Sequence, residues 1–357
     1  MPHLPRFVTL QDIADHTGYG RSTVSMALRG HPGIPGATCL VIKQAAEKLG
    51  YRPNPFVASL MTRMRGRKSS GGQRIALISR FDHAVGSRST VYYRVLYEAI
   101  LEEARRYSLG VDQFYNNTST PLSGPRLSRI LKTRGIHGVI LFPGKSAESA
   151  EFPELVWDDF TTVLIGHRTR HEEFHKVVPD NVYHIDCALQ HAQAAGCRRI
   201  GLMVPAPTND STNEIWSSRF LNYQHGIAAR DRVPLLFSES YRIDEPTFST
   251  WLRKWRPDVV FTSIHNVLDR IVELGLRVPE DVKFINLALR DHPGHAGMDP
   301  YTTEVGRAAV DLLVSLMQTH QGGVPEFPRT ISIRGKWVSG ATFPEPALSA
   351  DAVSGRV

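Results

Sequence analysis

At 357 residues the chain is too long for one simple hydrophobic core, so two or three folding units are expected. Its 41% hydrophobic and 22% charged residues are typical of a globular protein. No apolar run of signal-peptide length opens the chain, and nowhere do about 18 apolar residues run together, which predicts a cytoplasmic protein without a membrane partner. The scattered cysteines, Cys39, Cys187 and Cys197, form no CxxC pair, as expected in a reducing compartment.

The positive charge is concentrated at the N-terminus. Residues 1–68 contain ten Lys and Arg residues and three acidic residues, a net +7 that equals the net charge of the whole chain. The remaining residues carry 32 basic and 32 acidic side chains and are therefore neutral. A basic module on a neutral body indicates a polyanionic partner, with nucleic acid as the first candidate. A membrane surface or a chance distribution are the alternatives.

The first 53 residues are predicted to form a head of three short helices. The first helix has apolar residues at i, i+3, i+4 and i+7 from Leu10 and ends at Gly18. After a tight Gly-Tyr-Gly turn a second helix begins near Arg21 and ends at Gly30, and a third runs roughly over residues 37–49. Two short helices separated by a tight turn, the second with a polar face, predict a helix-turn-helix.

The second helix has one face that suits base recognition. Its apolar stripe (Val24, Ala27 and Leu28) is expected to point inward. The opposite face then carries hydrogen-bonding groups, positive charge and one apolar side chain able to contact a thymine methyl group. Its members are Arg21, Ser22, Ser25, Met26 and Arg29. The alternative is the solvated face of an unrelated helical bundle.

Residues 54–73 are predicted to form a further helix and a linker. Asn54 is a good N-cap and Pro55 fits the first helical position, where a missing N–H costs nothing. The Gly/Ser/basic stretch that follows, RMRGRKSSGGQ, is typical of a linker.

Residues 74–343 show a different sequence pattern. Short apolar runs recur between helical patterns: RIALIS, LGVDQF, HGVILFP, TTVLIG, RRIGLMV, PDVVFTSI and VKFINLAL. Such runs predict parallel strands buried on both faces, in two linked open α/β sheets with a cleft between them. In open α/β sheets, ligands bind beyond the carboxyl ends of the strands. The tail, residues 344–357, is rich in Pro, Ala and Ser and is predicted to be disordered.

The stretch HEEFH, residues 171–175, has the HExxH spacing of zinc hydrolases. That chemistry needs both histidines on one helical face. Here the stretch lies between two strand-like runs, TTVLIG and KVVPD, which leaves no room for a long helix. We therefore predict an interstrand loop, no metal, no cofactor and no catalysis, and keep a zinc-dependent hydrolase as the alternative.

The stretch VTLQDIADHTGYGRSTVSMALRG…AAEKLGYRPNPFVASL resembles the DNA-binding head of the lactose-repressor (LacI/GalR) family. Further segments, among them VVPDN…HAQAAGCRRIGLMV and GMDPYTTEVGRAAVDLL…GKWVSGAT, resemble that family's periplasmic-binding-protein-like core. The resemblance implies a transcriptional regulator, most simply a repressor, that binds double-stranded DNA as a homodimer at a near-palindromic operator. It also implies that residues 54–73 hold a hinge helix in the minor groove, and that a small-molecule effector changes DNA affinity. An alternative function is that of a solute-binding protein, but the basic head argues against it.

The family pattern also implies which head residues contact DNA. Arg21, Ser22 and Met26 match positions that read base edges. Phosphate contacts, which position the head without specifying sequence, are implied for Thr9, Ser25, Arg29 and Thr38. In the hinge helix, Ala58 and Leu60 match the minor-groove positions, with Leu60 as the wedge between base steps.

Effector contacts are expected where strands end at the cleft, from aromatic surface with a few polar groups. The candidates are Phe81, Asp82, Tyr93, His167, Trp216, Arg219, His265 and Asn266. Arg219 matches an arginine that binds ligand hydroxyl groups in the family, and a salt bridge between subdomains is its alternative role. The acidic residue usual in the family after the strand VKFINLAL is absent. The effector is expected to be a sugar or a sugar derivative. The alternative is a degenerate pocket that responds to no ligand.

Overall fold

The computed structural model describes residues 8–28, 33–49, 51, 73–81, 83–86, 90–115, 123–144, 152–167, 174–241, 243–264, 266–289 and 294–344. The chain separates into two compact units, Met1–Ser70 and Gly71–Val357. The predicted hinge helix and the predicted disordered tail lie outside the described residues. So do Arg29, Ala58, Leu60, Asp82 and His265.

The first unit contains three helices packed around a small core: α1 (Leu10–Thr17), α2 (Arg21–Leu28) and α3 (Gly36–Leu49). Thr9 and Asp12 form a reciprocal capping box that starts α1, and Gly18 ends it in the left-handed conformation with φ of 71°. One apolar side of each helix builds the core. Its buried members are Ile13, Ala14, Val24, Ala27, Ile42, Ala45 and Ala46. These bounds confirm the predicted helix-turn-helix head.

The second unit contains two open sheets, as predicted, and each has six strands. The first sheet has the strand order β11-β5-β4-β3-β1-β2, and the second has the order β12-β10-β9-β8-β6-β7. All pairs are parallel except β10 with β12. The strands are β1 (Arg74–Ser79), β2 (Gly110–Tyr115), β3 (Gly138–Phe142), β4 (Thr161–Ile165), β5 (His175–Pro179), β6 (Ile200–Pro205), β7 (Leu236–Ser238), β8 (Val259–Thr262), β9 (Lys283–Asn286), β10 (Gly297–Asp299), β11 (Thr330–Ile333) and β12 (Lys336–Val338).

Helices cover both sheets and complete the α/β layers. Their apolar sides join the strands in four buried clusters, two for each sheet. In chain order the helices are α4 (Val91–Arg106), α5 (Gly124–Thr133), α6 (Asn181–Ala194), α7 (Ala206–Ser211), α8 (Ile215–His225), α9 (Glu245–Trp255), α10 (Val267–Glu273) and α11 (Thr302–Gln318). In the part of the chain that the structure describes, no helix is both long and apolar enough to cross a membrane.

The chain crosses between the two sheets three times. It leaves the first sheet after β5 through α6, returns after β10 through α11, and leaves again between β11 and β12. Only Arg334 and Gly335 join β11 to the antiparallel β12, so this crossing connects the carboxyl ends of the strands of both sheets. These carboxyl ends therefore face a common space, which we call the cleft.

Four strands were not predicted: β7, β10, β11 and β12. Each has only three or four residues, and β11 and β12 lie at sheet edges with most of their residues exposed or half-buried. Most of the predicted strands are instead buried, and β3, β4, β6 and β8 are buried throughout. β2 is an exception, with five half-buried residues and one exposed residue. Continuous apolar runs identify buried strands most readily.

Candidate DNA-reading face and ligand cleft

Helix α2 turns its polar side away from the core of the head. Val24 and Ala27 are buried, whereas Arg21 and Ser22 are exposed. One turn further along, Met26 is half-buried on the same polar side. A guanidinium group, a hydroxyl group and a thioether side chain on one accessible helix face can together donate, accept and make apolar contact to base edges.

The proposed phosphate contacts occupy different local environments. Thr9 is exposed, and its hydroxyl group donates to Asp12 Oδ2 at 2.7 Å and accepts from Asp12 N at 3.3 Å. Thr38 lies half-buried in the first turn of α3, where free backbone N–H groups favour anions. Ser25 is half-buried on α2.

An aromatic cluster lies where β1 and β3 end at the cleft. Phe81 is buried against Tyr93, with ring centroids 4.9 Å apart in an edge-to-face arrangement. Phe142 completes the cluster, 6.1 Å from Tyr93. The hydroxyl group of Tyr93 donates to the Gly144 carbonyl at 2.9 Å and so fixes the ring. The structure thus brings together two of the predicted effector residues, Phe81 and Tyr93.

His167 follows β4 and lies at the start of α6. Its Nε2 is 2.9 Å from Asn181 Nδ2 and 3.2 Å from the Pro179 carbonyl oxygen. Burial of the ring has the largest effect on the pKa of His167 and lowers it below the usual value of 6.5. The imidazole is therefore neutral near pH 7.

Three buried polar atoms on the second sheet have no hydrogen-bond partner among the described residues: Trp216 Nε1, Ser263 Oγ and Asn266 Oδ1. Ser263 and Asn266 follow the end of β8. Trp216 lies on α8, which follows β6 in the chain, and β6 and β8 are neighbouring strands. Buried polar groups are almost always hydrogen-bonded, so such atoms at the carboxyl ends of strands are candidate ligand contacts. Ser263 was not predicted as a ligand contact, although its position directly after the buried strand β8 could have indicated one.

Arg219 is an exposed residue of α8 that pairs with Asp186 of α6. Nε donates to Asp186 Oδ1 at 3.0 Å and one terminal nitrogen donates to Oδ2 at 2.6 Å. Both helices belong to the buried cluster of the second sheet, so this ion pair lies within one subdomain and does not join the two. The pair holds the guanidinium group in place, and the other terminal nitrogen has no partner among the described residues.

His184 lies beside the crossing at Gly335 and is fully buried. Neither ring nitrogen has a hydrogen-bond partner in the described part of the chain. Burial lowers the pKa of His184 from 6.5 to about 4, against the weaker opposing influence of Asp180.

This burial predicts a pH-dependent stability. Between pH 6.5 and 4 the unfolded chain binds a proton that folded His184 rejects, so the free energy of unfolding falls as pH falls. We expect His184→Leu to remove about 2 kcal/mol of the loss between pH 7.5 and pH 5. Urea unfolding of the wild type and of His184→Leu at pH 7.5 and pH 5 measures this difference. If both proteins lost the same free energy of unfolding between the two pH values, His184 would not be the source of the pH dependence.

The HEEFH stretch does not continue as a helix at its described end. Phe174 is buried in the core, and His175 is the first residue of β5, where its Nδ1 accepts from the Arg329 backbone N–H at 3.0 Å. Residues 171–173 lie outside the described residues. Among the described residues, no three His, Cys, Asp or Glu side chains lie close enough together to hold a metal ion.

Two family models match the chain in the order of its two units. The model of bacterial regulatory proteins of the lacI family matches residues 9–54, which contain the helix-turn-helix. The periplasmic binding protein-like domain matches residues 189–343, which contain the second sheet.

Curated relatives align over nearly the whole chain. Catabolite control protein A of Priestia megaterium is 22% identical over 346 residues, which are 92% of this chain and 98% of that protein. The HTH-type transcriptional regulator GalR of Streptococcus thermophilus is 23% identical over 332 residues, or 85% of this chain and 91% of that protein.

Solved structures of regulators share the fold. The complex of the transcriptional regulator CelR with cellobiose has a TM-score of 0.56 at 19% identity and covers 94% of this chain and 99% of its own. The Lac repressor dimer bound to operator and the anti-inducer ONPF has a TM-score of 0.56 at 15% identity, with coverage of 95% and 100%. With both matched domains in this order, the chain belongs to the LacI/GalR family of DNA-binding transcriptional regulators.

Proposed function

We propose that the chain is a cytoplasmic repressor that binds a near-palindromic operator as a homodimer and is controlled by a small-molecule effector in the cleft. The observation that carries this proposal is the exposed polar face of α2, supported by its own packed core in the most basic part of the sequence. A helix presented in this way fits the major groove.

The proposed functional roles are assigned to segments in the order of the chain. In this proposal the head, residues 1–53, reads base edges and phosphates, and Ala58 and Leu60 contact the minor groove. The core, residues 74–343, binds effector and partner. Effector binding favours one relative orientation of the two subdomains, to which the hinge helices respond by ordering or melting.

Within the head, the residues divide by chemistry. Arg21, Ser22 and Met26 read base edges, because a guanidinium group suits the two acceptors of guanine and a thioether suits a thymine methyl. Thr9, Ser25, Arg29 and Thr38 bind phosphates and set the register of the head on DNA. The short Gly-Tyr-Gly turn supports this arrangement by placing α2 directly against α1.

Changing Arg21 to Ala tests the assignment of α2. We expect the affinity for the preferred operator to fall by about 1–3 kcal/mol and sequence specificity to relax at one base pair in each half-site. Competitive mobility-shift assays on operators with single base-pair changes measure both effects.

Lys43→Ala is the matched control, because it removes one exposed positive charge from α3 instead of α2. It is expected to leave the base preference unchanged. If Arg21→Ala weakened binding equally on all DNA sequences, Arg21 would be a phosphate contact and the base-reading role would be wrong.

The effector is proposed to be a sugar or a sugar derivative that lies between the two sheets. Phe81 and Tyr93 offer an aromatic wall, and the unpartnered atoms of Trp216, Ser263 and Asn266 can hydrogen-bond hydroxyl groups. Arg219, Asp82, His167 and His265 complete the proposed contacts. Cellobiose and ONPF are bound by the CelR and Lac repressor structures, respectively. Binding of this kind requires no catalytic group.

A dimer is the expected assembly. A two-fold dimer presents two α2 helices to two half-sites. Light scattering should therefore give a two-chain mass. A stable four-chain mass would contradict this expectation.

A further inference from the structure

A cavity of about 540 Å³ opens at the edge of the first sheet opposite the cleft. Thr162 near the start of β4 and His175 at the start of β5 form its floor. The loop between α11 and β11 forms its walls. Its volume lies in the range of small-molecule sites, about 300–1,000 Å³. Because it lies at the amino ends of the strands, it is separate from the proposed effector site.

The floor holds unused hydrogen-bonding capacity. Thr162 is buried, and its Oγ1 has no partner among the described residues. His175 is also buried, and since its Nδ1 accepts the Arg329 backbone N–H, the neutral ring carries its proton on Nε2. Burial and the charge of Arg329 lower the pKa of His175, so the ring stays neutral near pH 7. A hydroxyl group and an imidazole N–H are thus available to an acceptor.

The walls add one fixed positive charge and an apolar surface. The Arg329 guanidinium group is held by the side chain of Gln321, whose Oε1 accepts from it at 3.1 Å. The lining also includes the apolar residues Val324, Pro325 and Phe327, and Phe327 is 76% exposed. Among the described lining residues Glu326 is the acidic one, and it is exposed. An anionic group therefore fits beside Arg329 and an apolar group fits beside Phe327.

We propose that this cavity is a second ligand site that binds a small organic carboxylate with an apolar body. The carboxylate lies between the Arg329 guanidinium, the His175 Nε2–H and the Thr162 hydroxyl group, and the apolar body packs against Phe327. Charge-assisted hydrogen bonds to a guanidinium group favour a planar carboxylate. The proposed ligand is a free metabolite, because the cavity volume of about 540 Å³ suits a small molecule.

The site lies on the edge of the first sheet at which the chain enters the second unit. β1 begins at Arg74 and runs parallel to β3, which is parallel to β4, and β4 to β5, so residue 74 is at the same edge as Thr162 and His175. A ligand here therefore binds at the edge of the first sheet where β1 begins. The cleft effector binds at the other edge, and the two ligands do not compete.

Calorimetric titration of the full-length chain with benzoate, isovalerate and succinate tests the proposal, with benzamide as the uncharged match for benzoate. We expect benzoate or isovalerate to bind saturably, one per chain, and benzamide at least about tenfold more weakly. Thr162→Val should weaken carboxylate binding about tenfold without destabilising the fold, because the hydroxyl group it removes makes no hydrogen bond. Arg329→Gln should weaken it further.

Ser263→Ala is the control, because it removes a buried hydroxyl group at the cleft instead. It should leave carboxylate binding unchanged, so failure of the cleft assignment and failure of this proposal are distinguishable. The proposal is overturned if none of the three carboxylates binds saturably. It is equally overturned if binding occurs but both Thr162→Val and Arg329→Gln retain wild-type affinity.

Discussion

Replacing Ile13 with Ala should unfold the head and abolish binding to every DNA sequence. Ile13 is fully buried in a core that has seven buried members among the described residues of the head. Truncating a buried isoleucine costs about 2–5 kcal/mol, and a unit this small has little stability to lose. The second unit has its own cores and should keep its thermal transition. Calorimetry and mobility-shift assays measure the two effects.

Leu40→Ala is the matched control for Ile13→Ala. Leu40 belongs to the same three-helix head, but its side chain is 59% exposed on α3. Truncating an exposed apolar side chain changes stability by no more than about 0.5 kcal/mol, so DNA affinity should stay close to that of the wild type. Wild-type DNA affinity in Ile13→Ala would show that the three-helix core is not required for recognition.

Replacing Arg219 with Ala should make the chain insensitive to its effector. Loss of a charged hydrogen-bond donor costs about 1.5–3 kcal/mol of ligand binding, a rise of about 10- to 100-fold in the effector concentration for half-response. The ion pair with Asp186 is solvent-exposed, and such pairs contribute about 1 kcal/mol or less, so folding and basal operator binding should persist. The measurement is operator affinity against concentration for whichever sugar, in a mono- and disaccharide panel, acts on the wild type.

Arg277→Ala controls for the loss of an ion pair. Arg277 pairs with Asp281 through two side-chain hydrogen bonds of 2.9 and 2.7 Å, in an exposed loop of the same subdomain. This variant should respond to effector as the wild type does. If Arg219→Ala also responds normally, the cleft assignment of Arg219 is wrong and its role is limited to joining α6 and α8.

The fold was largely predictable because local patterns and burial agree in most elements. Gly18 ends α1 in a conformation that glycine adopts without strain, so the helix boundary is readable from the sequence. The strand RIALIS is buried at five of its six positions, so it appears as one apolar run. β11 (TISI) lies at a sheet edge with three of its four residues exposed and gives no such run. Its pairing with β5 joins residues 154 positions apart, such as Lys176 and Thr330.

The site was predictable only in part, because contacts between distant residues decide its chemistry. Strand ends can be read from the sequence, and Phe81, His167 and Asn266 do follow the ends of β1, β4 and β8. The pairing of Arg219 with Asp186 joins residues 33 positions apart and cannot be read from spacing. His175 shows the converse case. Its local pattern suggested a metal ligand, but the fold makes it the first residue of a strand, bound to the backbone of Arg329.

Selection of bound sequences from a random double-stranded DNA pool by the full-length chain, at moderate salt, tests the central claim most directly. Moderate salt suppresses binding that depends on phosphate contacts alone. The account predicts enrichment of one near-palindromic motif with two half-sites, and loss of one base preference per half-site in Arg21→Ala. Recovery of no common motif, or of the same motif from both proteins, would contradict a sequence-specific regulator that reads DNA through α2.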